Sequence, residues 1–125
     1  MLRQWEEFEV GPDGEGGRMH VTLSRKGEIL VGHDTFAKMG EPEAAVLLYD
    51  KINSTIGVRA ALTRQTNAYP FKAKPQCRYR LIRANRFCRH HQIIVDRTIA
   101  FANPQLDPDG TLILDLRETF SIGKR

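Results

Sequence analysis

At 125 residues, 41% apolar and 27% charged, the chain has the composition of one globular domain and not that of a disordered segment. No apolar run approaches the roughly 18 residues of a membrane-spanning helix. The opening Met1-Leu2-Arg3-Gln4-Trp5-Glu6-Glu7 is acidic where a secretory leader is apolar, so a cytoplasmic location is expected. In a reducing compartment Cys77 and Cys88 stay free thiols.

The net charge of +4 is unevenly spread. Residues 1–63 carry 7 basic and 10 acidic side chains, residues 64–97 carry 9 basic ones against Asp96 alone, and the rest 3 against 4. A segment so positive points to a polyanionic partner.

Trp5 to Val10 alternates as a short strand, and the glycine-rich Gly11–Gly17 that follows is a loop. It is no phosphate cradle, because no Gly-Lys-Ser/Thr ending and no helix follow it. Met19–Leu23 and Glu28–Val31 read as strands joined by the turn Ser24-Arg25-Lys26-Gly27. Asp34 is the expected N-cap of a short helix Thr35–Met39 that ends at Gly40, before Glu41-Pro42. Val46–Tyr49 and Thr55–Arg59 form a hairpin across Lys51–Ser54. Residues 60–76, broken by Asn67, Pro70 and Pro75, read as an irregular linker.

Arg78–Arg83 alternates as a strand, with Arg78, Arg80 and Ile82 on one face and Tyr79 and Leu81 on the other. A second short helix opens at Ala84 or Asn85, with Asn85 as its expected cap, and runs to His91. Thr98–Phe101 is a strand, Leu106–Gly110 a turn and Thr111–Leu116 a further strand; the last nine residues read as frayed.

The two halves share an order: strand, short helix with a central Phe (Phe36, Phe87), then a hairpin closing at Thr55–Val58 or Thr111–Leu114. A single domain over 1–125 is therefore expected, with a first repeat at about 19–59, a linker at about 60–76 and a second repeat at about 78–117. The second half runs straight from Ile82 into its helix, without the hairpin that opens the first. A unit of about 40 residues cannot bury its apolar face alone, whereas two interleaved units complete each other's sheets.

The segment Gly27-Glu28-Ile29-Leu30-Val31-Gly32-His33-Asp34-Thr35-Phe36-Ala37-Lys38-Met39-Gly40 resembles the core of the AbrB, MazE and MraZ families. It shares their turn glycine, apolar strand, short helix ending in an apolar residue and Gly, and following hairpin. With two degenerate copies in one chain it is most similar to the MraZ type. The chain also resembles uncharacterised small bacterial proteins with a Leu-Leu-Tyr-Asp hairpin. The resemblance implies a mainly β fold with two short helices, a swapped-hairpin barrel of two tandem strand–helix–hairpin units, and DNA binding. Two positions depart from the pattern: Glu28 stands where a basic residue is usual, and Gly32 where proline is.

No residue set carries catalysis or a cofactor, so a non-enzymatic protein is expected. Cys77, Cys88, His90 and His91 lack the close Cys-x2-Cys or His-x3-His pairs of a structural zinc site. Cys88 and His91 share a helical face but have no orienting carboxylate. The basic segment is the strongest signal. Arg83, Arg86 and Arg89 recur every third residue beyond Arg78 and Arg80, and Arg25 and Lys26 extend the surface if the turn lies beside them. Arginine suits bidentate phosphate contact, so double-stranded DNA is the expected partner. The alternative is an antitoxin-like protein-interaction module that keeps the barrel without DNA, a reading Glu28 favours; self-association of the oppositely charged halves is a related option.

Overall fold

The computed structural model describes residues 19–74 and 78–122. Trp5–Val10, the glycine-rich 11–17 and Cys77 lie outside them.

Among the described residues, eleven short strands and two short helices follow in chain order. The first half contains β1 (Val21–Leu23), β2 (Glu28–Val31), α1 (His33–Lys38), β3 (Ala44–Asp50) and β4 (Thr55–Ala61). Next come β5 (Ala68–Pro70), β6 (Lys72–Ala73), β7 (Arg80–Arg83) and α2 (Asn85–His90). The last are β8 (Ile99–Phe101), β9 (Gln105–Leu106), β10 (Leu112–Asp115) and β11 (Thr119–Ser121). They form two antiparallel sheets, one ordered β11-β8-β1-β2-β7-β6 and one ordered β5-β3-β4-β10-β9. The protein is thus mainly β with two short helices.

Both sheets mix strands from the two halves of the chain. β1 pairs with β8, β2 with β7, and β4 with β10. Period-two alternation decides which side chains go inside. Ile29 and Val31 of β2 and Leu112 and Leu114 of β10 are fully buried, while Glu28, Leu30, Ile113 and Asp115 between them are half-buried. One apolar cluster joins Val21, Ile29 and Ile82 of the first sheet to Ile56, Val58, Leu112 and Leu114 of the second. Each such side chain contributes about 1.5–3 kcal/mol by leaving water.

The two strand–helix segments are built alike. A four-residue strand, β2 or β7, is followed by one N-cap residue and a six-residue helix. Both helices end by the same pair of hydrogen bonds, a Schellman motif. After α1, Gly40 N–H donates to the Ala37 carbonyl and Glu41 N–H to that of Phe36. After α2, Gln92 N–H donates to Arg89 and Ile93 N–H to Cys88. The first left-handed residue is Gly40 (φ +89°), followed by Glu41 (φ +52°), in one and Gln92 (φ +57°) in the other. This register sets Phe36 level with Cys88 and Thr35 level with Phe87, one residue away from a Phe36–Phe87 match.

Several expectations are corrected. Gly32, not Asp34, is the N-cap of α1, and Ala84, not Asn85, that of α2; neither makes a side-chain cap bond, and Asp34 falls in the first turn. The backbone before each helix is already committed to the sheet, as Gly32 N–H donates to His20 and Ala84 N–H to Gly27. The segment 60–76 is not simply irregular, since it holds β5 on β3 and β6 on β7. The second half therefore does open with a hairpin, made of β6 and β7. Nor is 117–125 frayed throughout, because β11 pairs with β8. These strands of two or three residues leave too short an alternation to read in a sequence.

Gly27 has φ +82°, and a Cβ there would lie 2.7 Å from the Asn85 Cα. Gly40 has φ +89° with nothing within 4 Å of its missing Cβ. Gly40→Ala is expected to cost about 1–2 kcal/mol, the left-handed penalty alone. Gly27→Ala must add a backbone collision to that penalty. Urea unfolding of both variants checks this: equal losses would show that the turn is not pressed against α2.

Candidate nucleic-acid interface

The β1–β2 turn is held by its own serine. Ser24 Oγ accepts from the Lys26 and Glu28 amides at 3.2 Å, and Gly27 N–H donates to the Ser24 carbonyl at 2.9 Å. Arg25 and Lys26, between these bonds, are exposed. Because Gly27 lacks a Cβ, the turn closes on the start of α2, where Ala84 N–H donates to the Gly27 carbonyl at 2.9 Å. The turn is thereby fixed to the junction of β7 and α2.

That junction brings more cations. Arg83 ends β7 and is exposed. Arg86 and Arg89, three apart on α2, share a helical face and are exposed, whereas Phe87 and Cys88 between them are buried. Arg25, Lys26 and Arg89 line one cleft. Unlike Arg97 with Asp96 and Arg117 with Asp115, Arg25, Lys26, Arg83, Arg86 and Arg89 have no carboxylate of another described residue within pairing distance. Glu28 lies across the ladder from Arg83 without forming an ion pair.

The other two arginines go elsewhere. Arg78 Nη2 donates to His33 Nε2 at 2.9 Å, and the Arg80 guanidinium lies 4.9 Å over the Phe36 ring. Both thus engage α1, at the opposite end of the β2–β7 ladder from Arg83. Leu81 and Ile82 are both buried, so β7 does not separate into one basic and one apolar face. The seven predicted cations form one group of five and a pair turned towards α1. The sequence carried no sign of the Phe36 and His33 partners, which tertiary packing supplies.

An aromatic group behind α2 was also missed. The His91 ring sits 4.8 Å from those of Tyr49 and Phe87 and 4.7 Å from that of His90. Burial first, then the neighbouring His90 and Lys51, lower the His91 pKa. Burial raises that of Cys88, the opposite of an activated nucleophile. The lowered carboxylates are held by hydrogen bonds, Asp50 by Asn53, Asp109 by Thr111 and Asp115 by Arg117 within turns, and Glu43 by Thr63 from beyond the end of β4. Among the described residues no three His, Cys, Asp or Glu side chains gather as a metal site. Nor, among the described residues, is any helix long and apolar enough to cross a membrane. Compared with family models, curated proteins and solved structures, the chain matches none of them.

Two outcomes are expected. Arg80→Ala should lower stability by about 0.5–1 kcal/mol through loss of its stack on Phe36, and Arg83→Ala should leave it within error; equal losses by thermal melting would contradict the division. His91 takes up its proton less readily folded than unfolded, so the stability it contributes is present above its ordinary value of 6.5 and is lost as pH falls below it. Urea unfolding at pH 7.5 and 5.5 should show a drop that is smaller in His91→Phe.

Proposed function

We propose that this chain is a non-enzymatic, double-stranded-DNA-binding regulator that contacts phosphates through its β1–β2 turn and α2. One observation carries the reading: Arg25, Lys26, Arg83, Arg86 and Arg89 are exposed around one junction, without acid partners among the described residues. Phosphates are the common ligand for such a set, because the duplex presents a charge every ~1.7 Å along its axis. Arginine on a hydrogen-bonded turn and a short helix meets them at low entropic cost. Arg78 and Arg80 do not belong to this surface, since His33 and Phe36 already engage them.

We read the two sheets as the walls of an AbrB- or MraZ-like swapped-hairpin barrel spanning the chain as one domain. Two passages support this. Phe71 alone separates β5 in one sheet from β6 in the other, and residues 102–104 alone separate β8 from β9. Each sheet thus runs into its neighbour along the chain. The paired β2 and β7 would stand at the pseudo-twofold axis of the two units.

A second reading rests on Glu28, which opposes Arg83 and would repel a phosphate there. It makes the same surface a protein-binding module with no DNA contact. Binding to random duplex DNA across a salt series separates the two. Five phosphate contacts give a slope of log K against log salt of about −4 to −5. The variant Arg25→Ala/Lys26→Ala/Arg89→Ala should make it shallower by about 2–3, and Arg78→Ala should leave it unchanged. Absence of binding at 50 mM salt would overturn the DNA reading in favour of the protein module.

A further inference from the structure

The cleft between the β1–β2 turn and the connection from α2 to β8 measures about 240 Å³ and combines two kinds of lining. Leu23 and Cys88 are buried, and Ile93 and Val95 are half-buried and packed on the core, so part of the lining is apolar. Ile94 beside them is 86% exposed. Arg25, Lys26 and Arg89 line the same space with three cations that have no acid partner among the described residues. The Asn85 side chain, also in the lining, has no hydrogen bond to another described residue. Burial keeps the Cys88 thiol neutral, so it adds no repelling charge.

This combination selects a ligand class. A bare phosphate would leave Ile93 and Val95 without contact, and a neutral hydrocarbon would desolvate cations and an amide with nothing in return. A charged head on a short apolar body satisfies both at once, with the arginines as charge-assisted donors. The volume is below the ~300–1,000 Å³ of drug-sized ligand pockets, so the body is small. We propose that this cleft is a binding site for a small amphipathic anion, such as a medium-chain carboxylate. The site does not depend on the DNA reading. Its consequence does: an anion that holds Arg25, Lys26 and Arg89 withdraws them from phosphates and lowers DNA affinity.

The test uses octanoate, 1-octanol and acetate, titrated calorimetrically into the full chain. Octanoate is expected to bind with one-to-one stoichiometry and the other two at least about tenfold more weakly, the loss for a missing charged hydrogen bond or apolar contact. Arg89→Gln and Ile94→Asp, both at exposed positions, should each weaken octanoate about tenfold while melting like the wild type. Octanoate binding no better than octanol, or unaffected by either substitution, overturns the site. A labelled duplex then tests the consequence at low salt. Saturating octanoate should weaken the duplex and octanol should not, while simultaneous binding of octanoate and duplex overturns the coupling. One-to-one octanoate binding by a protein that takes no DNA supports the site and rejects only the phosphate reading.

Discussion

The β2–β7 ladder is the constraint on which the rest depends. Its four pairs, from Glu28↔Arg83 to Val31↔Arg80, join the two halves of the chain and fix where both helices start. Ile29 faces Ile82 in this register, and both are fully buried. A slip of one residue would turn those side chains away from the core and bring Glu28 in with them. The same register places Gly27 against Asn85, where the absence of a side chain lets the backbones meet. The fold and the positive surface therefore have a common origin.

Charge alone does not make a binding surface; the partner each cation already has decides it. Arg80 lies over Phe36, and the ring's negative face partly replaces water around the guanidinium. Arg78 meets the lone pair of His33. Moving either onto a phosphate would first break a contact inside the protein. Arg25, Lys26, Arg83, Arg86 and Arg89 face no such competition among the described residues. Differences of about 1 kcal/mol per contact suffice to divide a run of arginines into packing residues and available ones.

What could be read in the sequence follows from the range of the interaction behind it. β1, β2, β3, β4, β7, β8 and β10 all fall on stretches legible as strands, because alternation and a bounding turn are local signals. Gly40 marks the end of α1 for the same reason. The cap residues were misplaced because Asp34 and Asn85 are chosen by a propensity that assumes a free helix end. Here Gly32 and Ala84 already donate their amides to His20 and Gly27, which immediately precede β1 and β2, so the sheet sets the helix start. β5, β6, β9 and β11 exist only through their partners. At the candidate site the cations themselves were legible, whereas their division between α1 and α2 depends on residues far away in sequence.

The end of α2 shows how a locally unfavourable choice shapes that site. Gln92 occupies the left-handed conformation that Gly40 adopts after α1, and a residue with a Cβ pays about 1 kcal/mol for it. Its neighbours hold it there: Ile93 N–H is fixed on the Cys88 carbonyl at 2.8 Å, and Ile93 and Val95 pack on the core. Alternation along an extended backbone then sends Ile94 the other way, into solvent. A glycine at 92 would relieve the local cost but give the unfolded chain more freedom. With Gln92 the connection leaves the helix in one direction, keeping its apolar side chains beside Arg89 and the β1–β2 turn.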